Sequence, residues 1–228
     1  MLKSGMKCIY CNYHKLYDLK NGHKKCAKCK RKFSTQKLER DFAVLKLYSE
    51  GKSASQASKS LKINYITVKN LYSLFRKLSA KFLEDSYESQ KVVEYDEYIY
   101  LPKSKKPNSK NVFESYDFLT FHYENKIYNI LMPDISRYKE SFLENGAQEP
   151  YFKEFSKFMM FNKISKIQKR ENLITRFWLF FEEEITKYRG FKHENFFYYL
   201  KEIEFNFNYK YEERYEILKN LYLSTFRV

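Results

Sequence analysis

Apolar positions recur at three- and four-residue steps between Thr35 and Ser49, where Leu38, Phe42, Leu45 and Tyr48 share one face. That period predicts a helix. Glu50-Gly51-Lys52 interrupts it, with Gly51 suited to the position just past a helix end. Ser53 offers an N-cap to a short second helix, Ala54 to Leu61, in which Ala57 is small enough for close packing. Lys62 to Tyr65 predicts a turn, and a third helix follows from Ile66 to Phe82 with Val68, Leu71, Tyr72, Phe75 and Leu78 on one side. Residues 84–91 are polar and read as a linker. The period then shortens to two, and Val92 to Leu101 alternates as a strand. After a basic loop from Lys103 to Lys110, Phe118–Tyr123 and Lys126–Met132 predict two strands joined at Glu124-Asn125. Further expectations are a helix over Ser136–Leu143, a strand over Phe158–Ile164, and helices over Glu171–Lys187, Glu194–Phe207 and Glu212–Tyr222. A strand, a hairpin and then helices make a mixed α/β (α+β) body.

Ahead of the first helix stand the chain's only cysteines, as two Cys-x-x-Cys pairs: Cys8/Cys11 and Cys26/Cys29. Each spacing lets a tight turn aim two thiolates at one ion, and four thiolates close a tetrahedral Zn²⁺ site. Asn21-Gly22 between two short polar stretches is a hairpin signal, so residues 1–34 predict a small zinc ribbon. His14 and His23 lie inside the loop but are surplus to a closed four-sulfur site, and both are expected to be exposed. No signal peptide is read at the start, so reduced cysteines are expected, in a cytoplasmic, nucleoid-associated protein. No run of eighteen apolar residues occurs, so no membrane span is expected.

Charge changes the picture by its position. The formal net charge is +15, yet residues 1–83 alone carry 20 lysines and arginines against 4 acids, while the remainder carries 23 against 24. An excess confined to the first third predicts a nucleic-acid-binding end and a neutral body. The 22 tyrosines and 21 phenylalanines are assigned chiefly to cores rather than to base stacking.

Helix, glycine turn, short helix, tight turn and longer helix is the pattern of a helix-turn-helix, here residues 35–83. Such a fold places the N-terminal residues of its last helix in the major groove of duplex DNA. Asn64, Tyr65, Thr67, Lys69 and Asn70 are candidates for base edges and phosphates; Arg76 and Lys77 lie further along, toward backbone; Lys30, Arg31 and Lys32 add a basic patch at the ribbon's end. A three-helix packing module with a solvated basic face is the alternative.

Ribbon, helix-turn-helix and then Val93-Glu94-Tyr95-Asp96-Glu97-Tyr98-Ile99-Tyr100 resemble, in that order, insertion-sequence transposases with an RNase H-like core. Ile174-Thr175-Arg176-Phe177-Trp178 is similar to that family's Ile-Glu-Ser-Phe-Trp helix, Lys187-Tyr188-Arg189-Gly190 to its Lys-Phe-x-Gly, and the stretch from Leu200 to Asn208 to its closing Leu-Lys-Glu-x-Glu-Phe-x-Phe-Asn. The resemblance implies a shortened RNase H-like body over residues 92–228, and three carboxylates that hold Mg²⁺ ions for in-line strand transfer. Asp96 matches the first acid. Asn145, in Asn145-Gly146, stands where the second belongs, with Asp134 and Glu149 nearby but outside the motif. Thr175 stands where the third belongs. Glu171, one turn earlier, is the available substitute. Amide and hydroxyl are poor replacements for carboxylate on a hard cation.

The first expectation is therefore a transposase-derived, sequence-specific duplex-DNA-binding protein with structural Zn²⁺, impaired catalysis and a body used for homodimerisation. An active transposase using Mg²⁺ is the second, and a zinc-ribbon module for a protein partner the third.

Overall fold

The computed structural model describes residues 6–87, 90–133, 149–164, 167, 171–188 and 193–227. Within them lie six strands, β1 Leu16–Asp18, β2 His23–Cys26, β3 Lys32–Ser34, β4 Val92–Tyr100, β5 Tyr116–Tyr123 and β6 Lys126–Leu131. Seven α-helices accompany them: α1 Thr35–Ser49, α2 Ala54–Leu61, α3 Tyr65–Tyr87, α4 Glu149–Phe158, α5 Leu173–Glu184, α6 Phe196–Asn208 and α7 Tyr211–Ser224. The strands form two antiparallel sheets, β1-β2-β3 and β4-β5-β6, in a mixed α/β protein. Two compact units result, Met1–Asp85 with Tyr209–Val228, and Ser86–Asn208.

In the first unit the helix boundaries follow from local chemistry. Ser34 Oγ accepts the Lys37 N–H to start α1, and Gly51, at φ +73°, donates its N–H to the Tyr48 carbonyl to end it. Ser53 and Gln56 form a reciprocal capping box at α2. Asn64 starts α3: its carbonyl oxygen accepts the Val68 N–H and its side-chain oxygen the Ile66 N–H. Leu45 and Tyr48 of α1, Ala57 of α2, and Val68, Tyr72 and Phe75 of α3 are all buried. The Tyr48 and Tyr72 rings meet edge-on at 5.0 Å, and the Tyr72 hydroxyl donates to the Lys52 carbonyl at 2.8 Å.

Helix α7 returns to this unit rather than to the body expected over residues 92–228, and it packs on α1. Its Tyr222 hydroxyl donates to Asp41 Oδ2 at 2.6 Å, while Asp41 Oδ1 accepts from the Arg40 guanidinium at 2.8 and 3.0 Å. Burial, and then the Asp41 hydrogen bond, hold the Tyr222 hydroxyl well above its ordinary range. The Tyr222 ring also lies edge-on to Phe75 and Phe226, and Phe226 to Tyr10 of the cysteine-bearing segment. One aromatic seam thus joins the start, middle and end of the unit's sequence.

The second unit is built on the sheet β4-β5-β6, where Asp96, Thr120 and Asn129 lie side by side across the three strands. Tyr98, Phe118, Phe177, Trp178, Phe181 and Phe196 fill the core against it, with Trp178 stacked on Tyr98 at 4.8 Å. Helix α6 satisfies the outer edge of β6 with side chains. Asn208 bonds both the N–H and the carbonyl of Ile127, and Glu204 accepts the Asn129 N–H at 3.0 Å and its side-chain amide at 2.9 Å. Asn129 accepts from the Thr120 hydroxyl, which accepts from the Trp178 indole N–H. Lys201, fully buried, lies 3.2 Å from Glu204 and 3.6 Å over the Tyr128 ring. The burial of Glu204 raises its pKa, and Lys201 and Asn129 oppose that rise.

Several expectations are corrected. Helix α3 continues to Tyr87, through part of the expected linker. The expected strand over Phe158–Ile164 is instead the end of α4 followed by a π-helical turn, Met159–Lys163; Ile164 alone makes a parallel bridge, to Ile99. The helix expected over Ser136–Leu143 lies outside the described residues.

Replacing Tyr222 by Phe keeps the ring packing but leaves Asp41 with one partner fewer, so the first unit should lose about 1–3 kcal/mol. Urea unfolding followed by the exchange of α1 amides measures this; unchanged protection there would contradict the role assigned to the bond.

Candidate metal centre and candidate nucleic-acid face

Each cysteine pair sits on the same backbone device. Cys8 accepts the Asn12 N–H through its carbonyl at 2.9 Å, and Cys26 the Lys30 N–H at 3.2 Å. Asn12 and Lys30 both take left-handed conformations, φ 58° and 61°, which turn the chain back after the second cysteine of each pair. The β1-β2-β3 sheet brings the two turns together. The four sulfurs lie within 4.8 Å of one another, with Cys8–Cys29 at 3.7 Å and Cys11–Cys26 at 3.5 Å. Tetrahedral Zn–S bonds of about 2.3 Å place sulfurs about 3.8 Å apart, so the set is compatible with a zinc ion. Burial pushes the Cys8 thiol up to about 12. Burial also opposes ionisation at Cys26, but backbone N–H groups of Cys29 and Lys28 outweigh it and bring the thiol down to about 6.

Around this centre Lys30, Arg31 and Lys32 are exposed, with the Arg31 guanidinium over the Tyr10 ring at 5.2 Å. On α3 the expected contact residues separate. Tyr65, Lys69, Asn70 and Lys77 are exposed. Asn64 is exposed, but its side-chain oxygen is committed to the helix cap. Thr67 is half-buried, as is Arg76, whose guanidinium lies 5.9 Å over the Tyr72 ring. Ile66, which the sequence reading did not single out, is 64 % exposed. A branched apolar residue at the start of a polar helix face was the available signal. The first unit carries 24 lysines and arginines against 9 acids, and the second unit 19 against 19.

The expected acids do not assemble in the described part of the second unit. Asp96 is half-buried on the side of β4 shared with Glu94 and Tyr98, and its Oδ1 accepts the Glu97 N–H at 2.8 Å. Thr175 is 5 % exposed and works as a cap: its hydroxyl accepts the Asn172 N–H, and its N–H donates to the Asn172 side chain at 2.8 Å. Asn172 in turn donates to Glu94 at 2.5 Å. Glu171 precedes the N-cap, so it is exposed and outside the helix rather than one turn below Thr175 on a shared face. Asn145 lies outside the described residues, as does Asp134. Among the described residues, the cysteines are the only three or more metal-binding side chains that converge. The buried Lys201–Glu204 pair also escaped the sequence reading, because charged residues on an amphipathic helix read as solvated.

One carboxyl in the second unit is electrostatically misplaced. Asp117 is raised to about 6, by burial first and by the Glu97 charge second, with Lys163 opposing. Its Oδ1 is buried with no hydrogen-bond partner among the described residues. A raised carboxyl favours the folded state most below the ordinary aspartate range, and that contribution is lost as pH rises through about 6. Asp117→Asn should therefore raise stability at pH 7.5 by on the order of 1 kcal/mol and remove the part of the pH 5–7 dependence that this group sets. Thermal melts at the two pH values measure it, and an unchanged pH profile would count against the assignment.

Stripping metal with a strong chelator should loosen residues 6–34 and leave the environment of Trp178, the only tryptophan, unchanged. Amide exchange reads the first and tryptophan fluorescence the second; simultaneous loss of both would contradict independent units. No family model, curated protein or solved structure matches this chain.

Proposed function

We propose that this chain binds duplex DNA through a zinc ribbon and a helix-turn-helix in its first unit, and that it descends from an insertion-sequence transposase whose catalytic acid set is incomplete. The observation that carries the reading is the charge division: the whole formal excess of +15 falls on the first unit, where α3 presents Lys69, Asn70 and Lys77 to solvent. Phosphate contacts of this kind supply affinity by releasing counterions. In this reading the four thiolates hold a structural Zn²⁺ that fixes Lys30, Arg31 and Lys32, and the helix-turn-helix lays α3 in the major groove. The charge-balanced second unit, RNase H-like by ancestry, is the part suited to self-association.

The residue types argue against a working metal-dependent active site. Thr175 offers a hydroxyl that already caps α5, and Asn145 an amide, where two of three carboxylates are needed. A second reading, Mg²⁺-dependent strand transfer, rests on Asp96, whose carboxylate is half-buried on a strand face.

Fluorescence anisotropy with labelled duplexes tests the proposal. Binding should weaken steeply as salt rises, and Lys69→Ala should weaken it about three- to tenfold with a smaller salt slope. Absence of binding at low salt would sink the reading. Divalent-ion-dependent nicking that is lost in Asp96→Ala would establish the second reading in place of impaired catalysis.

A further inference from the structure

Helix α3 has one face that its own unit does not use. Val68, Tyr72 and Phe75 are buried. Opposite them, at steps of four, three and four residues, run Ile66, Asn70, Ser73 and Lys77, all exposed. On a helix such residues form a single stripe. Tyr65, 49 % exposed, and Lys69 flank it. The stripe is not uniformly cationic. It begins with a branched aliphatic side chain, 64 % exposed, continues with an amide one turn later, and ends with a lysine.

That order carries information about bases. In the major groove only thymine presents a methyl group, and only adenine pairs an acceptor at N7 with a donor at N6. An apolar side chain complements the first, and an asparagine amide, accepting and donating together, complements the second. Ile66 and Asn70 are separated by one helical turn, about 6 Å along the axis, which spans roughly two base-pair steps. Lys77 lies about 16 Å from Ile66 along the helix, far enough to meet a phosphate rather than a base edge.

We propose that Ile66 and Asn70 determine sequence specificity, and that they select A·T pairs at neighbouring positions of the site. Ile66 packs on a thymine methyl and Asn70 makes paired hydrogen bonds to an adenine, while Lys69 and Lys77 hold the phosphate backbone without base preference. This rests on the DNA-binding reading above. It excludes Asn64 and Thr67 from base recognition, the first because its side-chain oxygen caps the helix and the second because it is half-buried.

Selection of duplexes from a randomised pool by the zinc-loaded full chain tests it. The expected outcome is an enriched motif with adjacent A·T pairs, and about a tenfold loss when the Asn70-contacted pair is changed to G·C. Asn70→Ala should erase preference at one position and Ile66→Ala at its neighbour, with melting temperatures unchanged because both residues are exposed. Asn70→Arg should move the preference at its position to guanine. Lys77→Ala should lower affinity for all sequences alike. A G·C motif, or a motif unaltered in both Ile66→Ala and Asn70→Ala, would overturn the specificity assignment while leaving DNA binding intact. Failure to retain any duplex would overturn the binding reading and this inference with it.

Discussion

Four sulfur atoms within 4.8 Å of one another set the terms for the first unit. Four thiolates at that separation repel, and four thiols lack the hydrogens' worth of good acceptors that burial demands. A divalent cation resolves both problems, because each sulfur then faces positive charge. The strands that carry the cysteines are three and four residues long, too short to hold one another without such a cross-link. The displacement of Cys8 and Cys26 in opposite directions expresses the same conflict: burial favours protonated sulfur, and backbone N–H groups favour ionised sulfur.

The second unit answers a different constraint. Its sheet has only three strands, and the polar edge of β6 would otherwise be an open template. Side chains of α6 close it, through Asn208 on Ile127 and Glu204 on Asn129. The cost is a buried carboxylate, which Lys201, Asn129 and the Thr120–Trp178 relay offset. These polar residues belong to the closing stretch that resembles the transposase family, and here they serve architecture. Thr175 shows the same shift: a position that the resemblance assigns to chemistry instead fixes the start of α5 and, through Asn172, the side chain of Glu94.

The helices of the first unit were legible because pattern and caps agree. Ser53, Gly51 and the Leu38–Tyr48 spacing each point to the same boundaries. The Phe158–Ile164 segment was not, since Phe158, Met159, Met160 and Phe161 form an unbroken apolar run that fits a buried strand or a helix equally well. The cysteine cluster was readable from spacing alone. The place of α7 was not: its amphipathic face shows that it packs, but only Asp41, 181 residues away, shows where. Asn64 was readable as a cap, being an Asn directly before an apolar period, and was instead weighed for base contact.

The return of α7 has a consequence for biosynthesis. Chains emerge amino-terminus first, and most modules finish folding while later ones are still being translated. Here Tyr222, the hydroxyl donor to a carboxylate near the beginning, is added only after the intervening second unit has been made. The cationic unit reaches its final packing last, so a ribosome that stalls within residues 86–208 releases a chain with Asp41 still waiting for its partner.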